Sequence, residues 1–227
     1  MDVYWLEQSG PDVPDGNGWL SSQEALHLAT LRFPKRRADW RLGRWTAKCA
    51  LAACVRDTRP LADIQIQAAA SGAPEVLGAN PPAISISHRN GVACCAIALG
   101  AAALGCDLEL IEPRSREFVA TYFTPEEETL IEQTSAAARP ALLAVLWSAK
   151  ESALKALGVG LRLDTRSVAV RNLTFELDPP QLWQPLQVCY EGREFNGWWR
   201  SDGTLVRTLV AAPQPDAPRL LTAGFSK

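Results

Sequence analysis

From Val92 to Cys106 the chain carries no charged side chain, and only Gly100 and Gly105 break the apolar run. The run is shorter than the roughly 20 residues that a membrane-spanning helix requires. It therefore reads as two buried strands, Val92 to Leu99 and Leu104 to Leu110, around a Gly100 to Ala103 turn. Just upstream, Ala83-Ile84-Ser85-Ile86-Ser87 alternates like a strand and ends at His88-Arg89-Asn90-Gly91, where Asn-Gly favours a turn. With 227 residues, 47% of them hydrophobic, the chain has material for one large domain or for two small lobes sharing a core.

Charge removes some function classes. A formal net charge of −2 supplies no global basic field, so a nucleic-acid partner is not expected, and an anionic ligand must be met by a local basic patch. The six cysteines, Cys49, Cys54, Cys94, Cys95, Cys106 and Cys189, form no C-x-x-C pair and lack a His-x₃-His partner. They read as free thiols in a reducing cytosol rather than as a zinc site. The N-terminus, Met1-Asp2-Val3-Tyr4-Trp5, has neither a basic nor an apolar leader region, so a cytoplasmic protein without a membrane partner is expected.

Helix signals are clear at several places. Ser21-Ser22-Gln23-Glu24 resembles a capping box. A second helix is expected from about Lys35 to Val55, with Trp40, Ala47, Leu51 and Cys54 near one face. Arg37, Arg41, Arg44 and Lys48 recur at helical spacing on another face. That pattern is ordinarily a solvated face, but four cations without an interleaved acid also suit an anion. Ala68 to Pro82 reads as a loop, and Pro113 marks a boundary between lobes 1–112 and 113–227. Thr124-Pro125-Glu126-Glu127 is a helix start. Pro140 to Leu157 is the strongest helix, with an apolar stripe of Leu142, Leu146, Ala149, Ala153 and Leu157 and a stop at Gly158. Leu161 to Leu177 and Leu186 to Val210 read as strand-rich, the tail from Pro213 as loop, and no repeat is apparent.

Three places carry chemistry. On a strand, Asp107 and Glu109 point to one face, and two half-buried carboxylates ask for a cation, for which Mg²⁺ with retained waters fits best. Two solvated acids on an edge strand are the bland alternative. On the strong helix, Trp147, Glu151 and Lys155 share one face. They read either as a surface Glu–Lys pair or as a third carboxylate and a fixed cation for displacement at phosphorus. His88, at the rim of a strand with Ser87 beside it, is positioned to donate to a phosphate or to be merely structural.

Three segments together resemble the 4′-phosphopantetheinyl transferases, in their larger, single-chain, two-lobed class. They are Ile86-Ser87-His88, then Gly105-Cys106-Asp107-Leu108-Glu109, then Trp147-Ser148-Ala149-Lys150-Glu151-Ser152-Ala153-Leu154-Lys155. Phe123 to Glu127, Gly158 to Leu161 and Gly43-Arg44 add support. The resemblance implies an α+β fold of two similar lobes in a pseudo-twofold arrangement, with coenzyme A between them. It implies transfer of the phosphopantetheine arm of coenzyme A to a serine of an acyl or peptidyl carrier protein, releasing adenosine 3′,5′-bisphosphate. Asp107, Glu109 and Glu151 would ligate Mg²⁺, with Glu151 also serving as base for the acceptor serine. Lys155 would neutralise the pyrophosphate. Ser87, His88, Arg37, Arg44, Lys48 and Lys150 would hold the nucleotide and phosphates. The carrier would dock near Phe118 to Phe123, and the protein would act as a monomer.

One departure stands out. The family often shows G-[KR]-P before the Ser-His segment, whereas this chain has Gly72-Ala73-Pro74, so that cation is lost. The rival readings are another Mg²⁺-dependent phosphotransferase or nuclease, and an inactive homologue that binds coenzyme A or a carrier.

Overall fold

In the computed structural model, which describes residues 1–100, 102–175 and 182–222, the chain forms β1 (Val3–Ser9), α1 (Ser22–Thr30), α2 (Pro34–Val55), β2 (Ile66–Ala68), β3 (Pro74–Val76), β4 (Ala83–Arg89) and β5 (Val92–Ala98). There follow β6 (Ala103–Leu110), α3 (Arg116–Tyr122), α4 (Pro125–Gln133), α5 (Arg139–Ala156), β7 (Val168–Arg171), β8 (Gln184–Tyr190), β9 (Arg193–Ser201), β10 (Leu205–Ala212) and β11 (Arg219–Leu220). One sheet has the order β11-β1-β5-β4, another β6-β10-β9-β8-β7, and β2-β3 is a separate hairpin. The fold is α+β.

The apolar run becomes β5 and the start of β6, as expected, and Asn90-Gly91 turns β4 into β5 with both residues at positive φ. Every residue of β5 beyond Val92 is buried. Alternation explains this. Cys94, Ala96 and Ala98 face a core shared with Val3, Trp5, Leu104, Cys106, Leu108 and Leu209, so the two sheets pack face to face. Cys95 and Ile97 point the other way, against Trp45, Ala50 and Leu51 of α2. On the far side α5 covers the second sheet through Val145, Ala149, Ala153 and Leu154. The layers therefore run helix, sheet, sheet, helix.

Several expectations need correcting. The element order repeats: a strand, a nine-residue helix with a capping box, a long helix and four further strands, with α3 added in the second unit. The repeat is also present in the residues, because Trp45-Thr46-Ala47-Lys48 of α2 corresponds to Trp147-Ser148-Ala149-Lys150 of α5. By sheet membership the second unit starts with β6, ahead of the expected break after residue 112. The 68–82 stretch is not all loop, since β2 and β3 pair across Gly72. The tail returns to the first sheet, where β11 pairs in parallel with β1. In the expected strand-rich stretch of 161–177, the part before β7 forms short 3₁₀ turns, and residues 176 and 177 lie outside the described residues.

Candidate functional site

The site is assembled where β6 crosses α5. Odd-numbered residues of β6 face the helix, and at Gly105 the contact is so close that a Cβ would lie 1.8 Å from the Ser152 carbonyl oxygen. Only glycine allows this approach, which brings the next two odd positions, Asp107 and Glu109, against the Trp147–Glu151–Lys155 face. Lys155 Nζ donates to Asp107 Oδ1 at 2.8 Å and to the Cys106 carbonyl at 2.9 Å. Trp147 Nε1 donates to Glu109 Oε1 at 3.2 Å. Glu151 lies between them along the helix.

Neighbouring strand β4 closes the site from the other half. Ser87 Oγ donates to Asp107 Oδ1 at 2.8 Å, and Ser85 Oγ accepts from the Cys106 backbone N–H at 2.9 Å. Ser87 is buried and so fixes a carboxylate, which corrects its expected place on a phosphate.

Electrostatics mark the three acids as a unit. Burial, then the nearby Asp107 carboxylate, pushes the Glu151 pKa up to about 7. Burial and then Asp107 also raise Glu109, against Arg89, Arg114 and the Trp147 hydrogen bond. Burial opposes the charge of Lys155, but Asp107 and the Cys106 side outweigh it and hold its pKa above the ordinary value. Asp107 Oδ2 is buried with no hydrogen-bond partner. An unpartnered carboxylate oxygen and two further acids whose negative charge burial and Asp107 disfavour make an all-oxygen donor set suited to a hard divalent cation. No ready-made group of three metal-holding His, Cys, Asp or Glu side chains stands among the described residues. Lys155 on Asp107, and Arg114 on Glu109 at 3.2 Å, engage two of the acids instead.

Beside the acids runs a cleft built from both halves. One part, of ≈ 510 Å³, is lined by Trp40, Gly43, Arg44, Pro74, Ile86 and His88. An adjoining part, of ≈ 300 Å³, is lined by Gly72, Ala73, Pro74, Ile86, Leu104, Lys155 and Gly158. The Gly-Ala-Pro loop is thus a cleft wall, and Arg162 of the second half reaches across it to donate to the Ser71 carbonyl at 2.9 Å. His88 is at the exposed end of β4. Desolvation, with Lys155 and Lys35, lowers its pKa against the pull of Asp39 and Asp107.

The other expected cations separate sharply. Of the four on α2, Arg44 lines the cleft, held by the Ile66 carbonyl at 3.1 Å and lying over the Trp40 ring. Arg37 is bound to the Leu28 and Leu31 carbonyls, and Arg41 to those of Pro14, Asp15 and Gly16, so both tie loops to the helix. Lys48 is fully buried, paired with Glu24 at 2.5 Å and donating to the Trp19 and Leu61 carbonyls. Lys150 is its counterpart: fully buried, paired with Glu127 at 2.8 Å and bound to the Thr165 and Val168 carbonyls. Neither lysine lines either part of the cleft. They are struts, and each acid that holds one also closes a capping box. The expected docking patch changes too, because Phe123 is fully buried and packs with Phe118 and Tyr122 around Trp147.

Arg89, Arg114 and Glu112 surround Glu109 and were not singled out in the sequence. Arg89 is distant in the chain, and Glu112 and Arg114 follow β6 in a loop, where no strand or helix period places them.

Comparison with known proteins bears on this same region. Residues 103–203 match the family model of the 4′-phosphopantetheinyl transferase superfamily. The match opens with β6 and takes in Asp107, Glu109, Trp147, Glu151 and Lys155, so the site's acidic core lies wholly within it. No curated protein matches the chain. No helix among the described residues is long and apolar enough to cross a membrane.

Proposed function

We propose that the protein is a two-lobed enzyme that transfers the phosphopantetheine arm of coenzyme A to a serine of an acyl or peptidyl carrier protein. The observation that carries this reading is the crossing of β6 and α5, where three mutually repelling carboxylates gather around one fixed lysine, and that lysine lines a cleft between the halves. The family match over the same residues supports it.

Asp107, Glu109 and Glu151 would hold Mg²⁺, with the unpartnered Asp107 Oδ2 as a ready ligand. When bound, the ion withdraws charge from the pyrophosphate of coenzyme A. Coenzyme A lies in the cleft, its nucleotide near Arg44, His88 and the 72–74 loop and its pyrophosphate near Lys155. The serine Oγ attacks the phosphorus that bears the pantetheine. The bond from that phosphorus to the bridging oxygen breaks, and adenosine 3′,5′-bisphosphate leaves with the electron pair. Glu151 is the base that takes the serine proton; in the ion-free site burial and Asp107 draw it toward that proton. Lys155 stays charged throughout and balances the departing anion. His88, with its lowered pKa, contributes a neutral N–H. Phe118 and Tyr122, both partly exposed beside Trp147, are the remaining aromatic surface for the carrier. The free thiols, the net charge and the two-lobed plan are in keeping with a cytoplasmic monomer.

Calorimetric titration of coenzyme A with and without Mg²⁺ tests the site. Binding should strengthen with Mg²⁺ and lose that gain in Asp107→Asn. Binding indifferent to both would overturn the proposed site.

A further inference from the structure

Around Glu109 the chain has built a small ionic frame from residues of two different segments. Arg114 Nη2 donates to Glu109 Oε2 at 3.2 Å and lies 3.0 Å from Glu112 Oε1. Arg89 Nη2 reaches the same Glu112 oxygen at 3.1 Å, and its Nε stands 3.6 Å from Glu109 Oε2. That Nε is buried and lacks a hydrogen-bond partner, so Arg89 contributes charge more than a bond to Glu109. The Arg114 guanidinium also lies over the Phe118 ring, 5.1 Å from its centroid. It is therefore held from three sides.

Both oxygens of Glu109 are thus engaged, but unequally. Oε1 accepts from the neutral indole of Trp147, which a cation on the same carboxylate tolerates. Oε2 accepts from a full positive charge, and a second positive charge at that oxygen is repelled. Two arginines and Glu112 leave Glu109 neutralised before any ion arrives.

Resting on the metal reading above, we propose that Arg114 is a built-in competitor for the divalent cation at Glu109, with Glu112 as the anchor that draws it aside. The affinity of the acidic site is then set by how firmly Glu112 holds Arg114. A site of this kind stays charge-balanced when empty and takes up the ion most readily when the anionic pyrophosphate enters with it. Arg114 is a positioning residue, since it acts through Glu109.

The test is the dissociation constant for Mn²⁺ and Mg²⁺, measured on the full chain by electron paramagnetic resonance and calorimetry without coenzyme A. Arg114→Gln should bind roughly two- to fivefold more tightly. Arg114→Lys, which keeps the charge, should stay near wild type. Glu112→Gln, which leaves Arg114 to Glu109 alone, should bind more weakly. Unchanged or weaker binding by a folded Arg114→Gln overturns the proposal. If that variant fails to fold, unchanged or tighter binding by Glu112→Gln does so. Cation binding by wild type without these shifts leaves the metal reading standing. No cation binding by any of the proteins overturns both.

Discussion

Glu151 is drawn toward protonation by burial and by Asp107, and the consequence is measurable without any substrate. Its folded pKa of about 7 lies above its ordinary value of 4.5, so between those values the folded protein holds more protons than the unfolded one. Stability must then fall as pH rises through that window. In chelator, the melting temperature of the wild type should decline from about pH 5 to about pH 7.5, and Glu151→Gln should flatten the decline. Parallel curves for the two proteins would contradict this. Added Mg²⁺ should restore more stability at the alkaline end, because the ion competes with the proton. At this scale the sequence was most informative. Asp107, Glu109, Glu151 and Lys155 were all legible, since period two on a strand and period 3.6 on a helix place them without tertiary knowledge. Lys48 and Lys150 were misread because spacing shows which face a lysine takes but not whether an acid waits beneath it.

At the scale of elements, the decisive contact is α5 on β6. Gly105→Ala would place a Cβ 1.8 Å from a helix carbonyl, so the helix must move away from Asp107 and Glu109. We expect a loss of about 1–3 kcal/mol in urea unfolding, typical of overpacking, together with a loss of transfer activity. Unchanged stability would mean that the helix is not seated so closely. The struts make a second test. Lys150→Met leaves Glu127 buried and uncompensated, which should cost about 3–5 kcal/mol, and adding Glu127→Gln should recover part of it. Recovery is incomplete because Glu127 also accepts from the Val170 and Thr124 backbone N–H groups. The strong helices and the middle strands were readable from their patterns. The hairpin β2-β3 was not, because strands of three residues are too short to show a period. Strand β1 escaped notice because Tyr4, Trp5 and Leu6 face cores on both sides and so do not alternate.

On the scale of the molecule, the two units depend on each other. Leu104, Cys106, Leu108 and Leu209 of the second sheet are buried against Val3, Trp5, Cys94 and Ala96 of the first. Residues 103–222 alone would expose that face to water. This fragment is expected to lack cooperative thermal unfolding by circular dichroism, although it contains the matched family segment. A cooperative transition would show that the second unit folds by itself. The repeat that unites the halves was present in the sequence as Trp-Thr-Ala-Lys and Trp-Ser-Ala-Lys, but four residues stand out only once the helices that carry them are seen side by side. In the first copy, Cys49 and Ala53 occupy the places of Glu151 and Lys155, so the chemistry is confined to the second.

The most direct measurement is the intact mass of an apo carrier protein after incubation with this protein, coenzyme A and Mg²⁺, beside a Glu151→Ala control. The wild type should add the mass of one phosphopantetheine, and the control should add none. An unmodified carrier, across acyl and peptidyl types and with coenzyme A shown to bind, would contradict the central claim.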